Sequence, residues 1–300
     1  MREYTLGFMR EIGFDGEAVE ALCADLDRLY AHPEARALMT ECVSLYEENI
    51  DRDYKVLRDM SNRAAELVGV HIYSAQMLMY ISLSKHLREL YREKGISDRI
   101  WYDSMSDLKW KLWECKAVKG IWGSFADVWY YRFFDMTRFA LGRLQFEMWP
   151  VNDECVIGGR EIKKGMKAIG IHIPRTLTSL TRESLNDAYK QAAETFRDEF
   201  GDQRVIFVCH SWLLSAEIPQ MLNEGSNLRG FINDFTIVKY ETSDEGDYSE
   251  AWRLFDMDYT GDLEDYPEDS SFRRRYKEYL KNGGRMGHGL GFFFAEDVIG

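Results

Sequence analysis

Cysteine and proline are scarce in this 300-residue chain, at five each. Cys23, Cys42, Cys115, Cys155 and Cys209 stand apart, odd in number and without a C-x-x-C pair. That argues against a disulfide framework and against a cysteine zinc site. A long apolar run is missing too. The most apolar window, Val70 to Leu83, contains His71, Gln76 and several hydroxyls, and is too short and too polar to span a bilayer. The opening MREYTLGFMREIGF has acidic residues and no continuous apolar stretch, so no signal peptide is visible and a soluble cytoplasmic protein is expected. Basic residues are outnumbered, 38 Lys and Arg against 51 Asp and Glu, for a net charge of -13. A nucleic acid or an anionic membrane needs a basic face, so neither is expected as a partner. No internal repeat or low-complexity segment occurs.

What is present is core-forming material: 45% hydrophobic and 14% aromatic residues. Residues 1–138 read as helical. Val19, Leu22, Leu26, Leu29 and Tyr30 form one stripe, broken at His32-Pro33. Leu38 to Tyr46, Tyr54 to Val68 and Val70 to Tyr91 continue with helical spacing, with Gly69 as an interruption. Ile96 to Lys109 reads as a loop with a short helix. The aromatic density from Trp110 to Phe134 suits a helix-bundle core better than a ring-binding pocket. From Phe139 the period changes to two. Leu144, Phe146 and Met148 alternate with Arg143, Gln145 and Glu147, which predicts a half-exposed strand. A boundary between about 134 and 142 follows, with domains at 1–138 and 139–300.

The most regular stretch runs from Met166 to Leu222. A strand over 166–173 ends at Pro174, an amphipathic helix spans 181–200, a buried strand covers 204–209, and a short helix follows from Trp212. Strand, helix, strand with short turns describes a parallel βαβ unit, and ligands of such sheets gather at the strands' carboxyl ends. Those ends carry His172, Arg175 and Thr176, and Cys209, His210 and Ser211. Further on, Phe235 to Tyr240 and Ala251 to Met257 read as a hairpin. The acidic string from Asp256 to Asp262 opens like a calcium loop but has Pro267 where the twelfth-position Glu belongs, so it reads as solvated. Phe272 to Leu280 predicts a basic helix, Gly283 to Gly291 a tight loop, and Phe292-Phe293-Phe294 needs cover.

Several of these residues could carry chemistry. His172 at a strand end is a candidate base, since imidazole titrates in the right range; the alternative is a structural histidine. Cys209-His210-Ser211 between strand and helix invites a nucleophile-elbow reading, but the glycines of G-x-S-x-G are missing. A serine hydrolase using Ser211 is therefore the weaker alternative. His210 and Ser211 as lining of an acyl site, with Cys209 a small buried residue, is better supported. Glu217 is a second candidate base or part of a solvated helix face. Nothing in the spacing of His172, Cys209 and His210 demands a metal.

The segments DLKWKLWECKAVKGIWGSF (107–125), FALGRLQFE (139–147), IHIPRT (171–176), VCHSWLL (208–214) and SNLRGF (226–231) resemble a bacterial acyltransferase-domain family. Its members join an all-helical N-terminal domain to a GNAT-like C-terminal domain. The likeness covers most of the chain. It implies an α+β protein, a helical N-terminal domain followed by a GNAT-like mixed α/β acyltransferase domain. It also implies acetyl-CoA or another acyl-CoA as co-substrate, and an amine acceptor on a small molecule or peptide. In such a fold acyl-CoA lies where two central strands splay apart, here 166–173 and 204–209, with the pyrophosphate before the helix at 181. That arrangement implies His172, Ser211, His210 and Glu217 near the reacting groups, and Arg175, Thr176, Thr178, Ser179 and Cys209 along the cofactor. The usual Q/R-x-x-G-x-G/A loop is replaced by Pro174 to Leu180, without a glycine. This departure favours the other reading, a non-catalytic GNAT-like binding module.

Overall fold

The computed structural model describes residues 1–299, in two compact units, Met1–Phe139 and the residues from Ala140 on. The first unit is built from helices α1 (Arg2–Ile12), α2 (Gly16–Ala31), α3 (Pro33–Glu48), α4 (Tyr54–Val68), α5 (Ile72–Glu93), α6 (Asp98–Lys119) and α7 (Asp127–Phe134). Asp15 and Asp53 start α2 and α4 by accepting from the amides of Glu17 and Lys55, so orphan first-turn donors are satisfied. Trp101, Tyr130, Phe133 and Phe134 are buried in the core of this unit, as the bundle reading expects.

Two helices depart from expectation. Residues 1–138 read as helical, but no element before Val19 stood out; α1 buries Thr5, Phe8, Met9 and Ile12, the i, i+3, i+4, i+7 face of a helix otherwise studded with charge. Ile96 to Lys109, expected as a loop with a short helix, is from Asp98 onward the first half of the long α6. Ser97 caps it by accepting from the Ile100 amide, and its inner face runs through Trp101, Ser104, Met105, Leu108 and Leu112. Buried Ser104 and Asp107 break the apolar stripe that sequence reading relies on.

Strand β1 (Arg138–Leu141) begins at the end of the first unit and leads into the second, which contains β2 (Leu144–Pro150), β3 (Cys155–Ile157), β4 (Arg160–Ile162) and β5 (Lys167–His172), then α8 (Arg182–Thr195), α9 (Arg197–Phe200) and β6 (Ile206–Ser211). A 3-10 turn (Trp212–Leu214), α10 (Ile218–Met221), α11 (Asn227–Ile232), β7 (Thr236–Thr242), α12 (Trp252–Phe255), α13 (Ser271–Lys281), β8 (Gly287–Phe294) and α14 (Ala295–Val298) follow. Six strands form one sheet in the order β1-β2-β5-β6-β8-β7, and β3 and β4 form a separate hairpin. β5 and β6 run parallel, whereas β2, β8 and β7 pair with their neighbours antiparallel. On one face Tyr189 of α8 packs on Phe207 and Phe293. On the other, Ile157 and Ile162 of the hairpin cover Ala168, Ile206, Val208, Phe292 and Phe294. Burying such side chains stabilises the unit by about 1.5–3 kcal/mol each.

The C-terminal third corrects two more expectations. Ala251 to Met257 is not a strand. Residues 252–255 make one helical turn that ends at Asp256 with φ 60, so the expected hairpin does not exist. The partner of β7 is β8, with Tyr240 opposite Gly289. Gly283 to Gly291 is therefore not a tight loop; most of it is a central strand. Its glycines answer close approaches. A Cβ on Gly289 would lie 2.1 Å from the Leu214 carbonyl oxygen, and one on Gly287 would lie 2.6 Å from that of Glu241.

Candidate active site

β5 and β6 are laddered only at Ile169–Phe207 and Gly170–Val208. Their outer neighbours stay paired further along, β2 to His172 through Gln145 and β8 to Ser211 through Gly289. The two central strands thus part toward their carboxyl ends while the sheet on either side holds. Side chains alternate along a strand. His172 shares a face with Ala168, and His210 with Val208, so both histidines lie on the hairpin face, at the two lips of the opening.

His172 does not stand by itself. Its Nε2 lies 2.7 Å from Oε1 of Glu147, and the His172 ring is 6.3 Å from that of Trp149. A carboxylate that accepts from Nε2–H selects the tautomer with the lone pair on Nδ1. Glu147 was read as half-exposed; it is only 8% exposed, and Gln145 only 1%. The polar face of β2 is turned to β5 and covered there. Trp149 lies so close over Gly170 that a Cβ at that glycine would come within 2.9 Å of Cε3.

Across the opening, His210 Nε2 is 3.2 Å from Glu241 Oε2, and its ring is 5.4 Å from that of His288. Lys239, 2.9 Å away, and then His210 hold the Glu241 carboxyl below its ordinary range. Burial, and next the neighbouring His210, hold His288 below its ordinary value. A small cavity of about 90 Å3 lies here, lined by Trp149, Asp153, His210, Lys239 and Glu241. A larger one, about 470 Å3, lined by Arg182, Asp234, Thr236 and Asp297, includes none of the predicted residues.

The other predicted residues are scattered. Ser211 has extended dihedrals, φ -151 and ψ 148, and its Oγ accepts from the Leu213 amide at 3.2 Å. Cys209 is 1% exposed, and burial pushes its thiol well up. Glu217 is not on a solvated face; it accepts from Ser215 Oγ at 2.7 Å and from the Tyr276 hydroxyl at 3.3 Å. Thr176 and Thr178 bond to each other through their hydroxyls at 2.9 Å, and Ser179 is exposed. Arg175 pairs with Asp256, Nη2 to Oδ2 at 2.7 Å, and Asp256 also takes Arg273 at 2.5 Å. The supposedly solvated acidic string is thus tied to the loop after β5 at its first residue.

That loop has a second tether. Leu141-Gly142-Arg143-Leu144 is a two-residue hairpin turn, with Gly142 at φ 63 in the first central position, as a type II′ turn requires. Arg143 then reaches the loop, Nε donating to the Thr178 carbonyl at 3.0 Å and Nη1 to that of Pro174 at 3.1 Å. Burial pushes its guanidinium down to about 10. Sequence reading missed Glu147, Arg143 and Asp256 as site residues. The LGRLQFE string was the available signal for the first two.

Among the described residues, no helix is long and apolar enough to cross a membrane, and no three His, Cys, Asp or Glu side chains gather as metal ligands.

Comparison with known proteins agrees with this architecture. A solved acyltransferase in complex with decanoyl-CoA and teicoplanin superposes with a TM-score of 0.71 at 19% identity, over 96% of this chain and 86% of that one. A mutant acyltransferase in complex with octanoyl-CoA gives 0.73 at 18% identity, over 97% and 88%. Among curated proteins none matches. Residues 5–136 match the N-acyltransferase N-terminal domain. Residues 139–293, more than half of the chain, match the GNAT-like C-terminal domain, and the protein belongs to that family.

Proposed function

We propose that this protein is an acyl-CoA-dependent N-acyltransferase, moving an acyl group from the thioester to the amine of a small-molecule acceptor. The observation that carries this reading is the Glu147–His172 pair at one lip of the opening between β5 and β6. In the transfer, His172 takes a proton from the acceptor amine at Nδ1, and Glu147 stabilises the imidazolium that forms. The amine nitrogen bonds to the thioester carbon, the C–S bond breaks, and the sulfur leaves as a thiolate that takes the proton back from the His172 imidazolium, giving the thiol of CoA and a neutral histidine. Backbone groups exposed where the strands part suit hydrogen bonding to the pantetheine and to the carbonyl oxygen. The pyrophosphate fits before α8, whose first-turn amides and dipole favour an anion. Glu183 in that turn works against it, and Arg175 beside it works for it. The similar solved structures hold octanoyl- and decanoyl-CoA, which supports a medium-length acyl chain as the first to try.

A second reading, a non-catalytic acyl-CoA-binding module, is favoured by one observation: the loop from Pro174 to Leu180 has no glycine to let backbone meet phosphate. The hydrolase reading has no such support, since Ser211 lacks a strained elbow and bonds to the Leu213 amide. The experiment is a thermal-shift series with CoA and acyl-CoAs from acetyl to decanoyl, followed by thiol release in the presence of amine acceptors. A ligand that binds the folded state raises the melting temperature by mass action. A shift with turnover supports the enzyme, a shift without turnover the module, and no shift for any acyl-CoA rejects both.

A further inference from the structure

Arg143 answers the difficulty of the glycine-free loop. Its two donors hold the carbonyls of Pro174 and Thr178, four residues apart, and so close the loop into a ring around one guanidinium. In a trans peptide the C=O of one residue and the N–H of the next point in opposite directions. Carbonyls 174 and 178 turned toward Arg143 therefore turn the amides of Arg175 and Ser179 away from it, to the far side of the loop. The root of Arg143 is fixed as well. A Cβ on Gly142 would lie 3.3 Å from Asp187 Oδ2 and 3.5 Å from the Ala188 Cα, so the turn sits directly against α8. The loop joins the same helix through Thr181, whose Oγ1 accepts from the Ser184 amide at 3.2 Å. Turn, loop and helix start are thus tied in one triangle.

The charge on Arg143 is part of the same device. Burial is what depresses this guanidinium, with no carboxylate acting on it. A half-buried cation is costly to leave without acceptors, and the two carbonyls offset that cost. Carbonyl clamping also explains the residue type. Here two different nitrogens of one rigid fork, Nε and Nη1, each take a carbonyl, a fixed geometry that the single nitrogen at the end of a flexible lysine does not reproduce.

We propose that Arg143 is a positioning residue for acyl-CoA, holding the 174–178 loop so that the Arg175 and Ser179 amides face outward toward the phosphates in place of a glycine loop. The inference rests on the acyl-CoA reading above. The test compares two donors carrying the same acyl group, acyl-CoA and acyl-pantetheine, which lacks the phosphates and the nucleotide. Arg143→Lys keeps the charge and loses the clamp. It is expected to raise KM for acyl-CoA about tenfold or more, the scale of one charge-assisted hydrogen-bond set. Its kcat at saturation, and both constants for acyl-pantetheine, are expected to stay within about twofold of wild type. An equal loss on both donors, or no loss on either, overturns the proposal. If the variant fails to fold, amide hydrogen exchange on the wild type decides. CoA is expected to slow exchange across 174–180 while pantetheine does not, and protection by both or by neither overturns it. Wild-type protein without affinity for any acyl-CoA rejects the acyl-CoA reading itself. Tight wild-type binding with an indifferent Arg143→Lys rejects only the clamp.

Discussion

The Oε1 atom of Glu147 lies 2.7 Å from Nε2 of His172, although the strand register sets His172 opposite Gln145. The pair is diagonal, two residues along β2, and both side chains sit on the covered face of the strand. In the proposed role of base, a histidine held this way is oriented before substrate arrives. His172→Gln is expected to lower kcat/KM for acyl transfer by roughly 10²–10⁴, the usual contribution of a positioned base. Glu147→Gln should lower kcat by about tenfold or more while leaving KM for acyl-CoA near wild type, because it acts through His172. Initial rates of thiol release measure both. Full activity in His172→Gln would end the assignment.

Asp256 accepts from both Arg175 and Arg273, and Arg273 also donates to Asp269 at 2.8 Å, so two cations and two carboxylates balance beside the loop after β5. Arg175→Ala is expected to weaken acyl-CoA binding by roughly 1.5–3 kcal/mol, the worth of a hydrogen bond to a charged group. Asp256→Asn should do the opposite or nothing, since it removes the competing carboxylate. Calorimetry on the two variants separates the cases. Equal weakening by both would mean that Arg175 only braces the loop.

Gly289, opposite Ser211 at the end of β6, faces the carbonyl of Leu214 in the turn that follows. Backbone cannot rotate out of the way as a side chain can. Gly289→Ala is therefore expected to destabilise by about 1–3 kcal/mol or more, lowering the melting temperature by roughly 3–10 °C. Differential scanning calorimetry reads the change. An unaltered melting temperature would contradict the close approach.

The thiols of Cys42 and Cys115 are both pushed up to about 12 by burial, from an ordinary value of 9.0. The unfolded chain ionises first as pH rises, so the folded state binds more protons above pH 9. Stability from these groups is fully present below pH 9 and lost between pH 9 and 12. At pH 10 the loss is about 1.4 kcal/mol for each thiol. Tyr4, also raised to about 12 by burial, acts in the same direction. The urea midpoint should drop between pH 8 and pH 10, and a midpoint equal at both would refute the assignment.

The parallel β5–α8–β6 unit was legible because its signals are local: two apolar runs, one amphipathic period, Thr181 as cap and Pro174 as stop. His172 was legible for the same reason, as the polar residue where an apolar strand ends. Its partner was not. Alternation along β2 reveals that Glu147 and Leu144 face opposite ways, but not which face another strand and Trp149 will cover. That depends on register between residues about 25 apart in sequence. The role of Gly287, Gly289 and Gly291 was hidden likewise, since glycine is disfavoured in strands unless something outside the strand presses on it. In α6 the obstacle was the reverse, buried polar residues inside a helix. The neighbour of β7 was misassigned because the nearest apolar run, around Trp252, coils into a single turn and leaves the pairing to a strand some 35 residues further on.

β8 is the last strand in chain order, yet it lies between β6 and β7. During synthesis the sheet therefore waits for the strand that joins β7 to the rest of it. Until residue 294 has left the ribosome, β6 and β7 each present an open edge of unpaired amides and carbonyls, and Val208 and Phe207 have no Phe292 or Phe293 beside them. A nascent chain halted near residue 282 would carry two sticky margins at once, the condition under which chaperones are most needed and β-aggregation most readily begins.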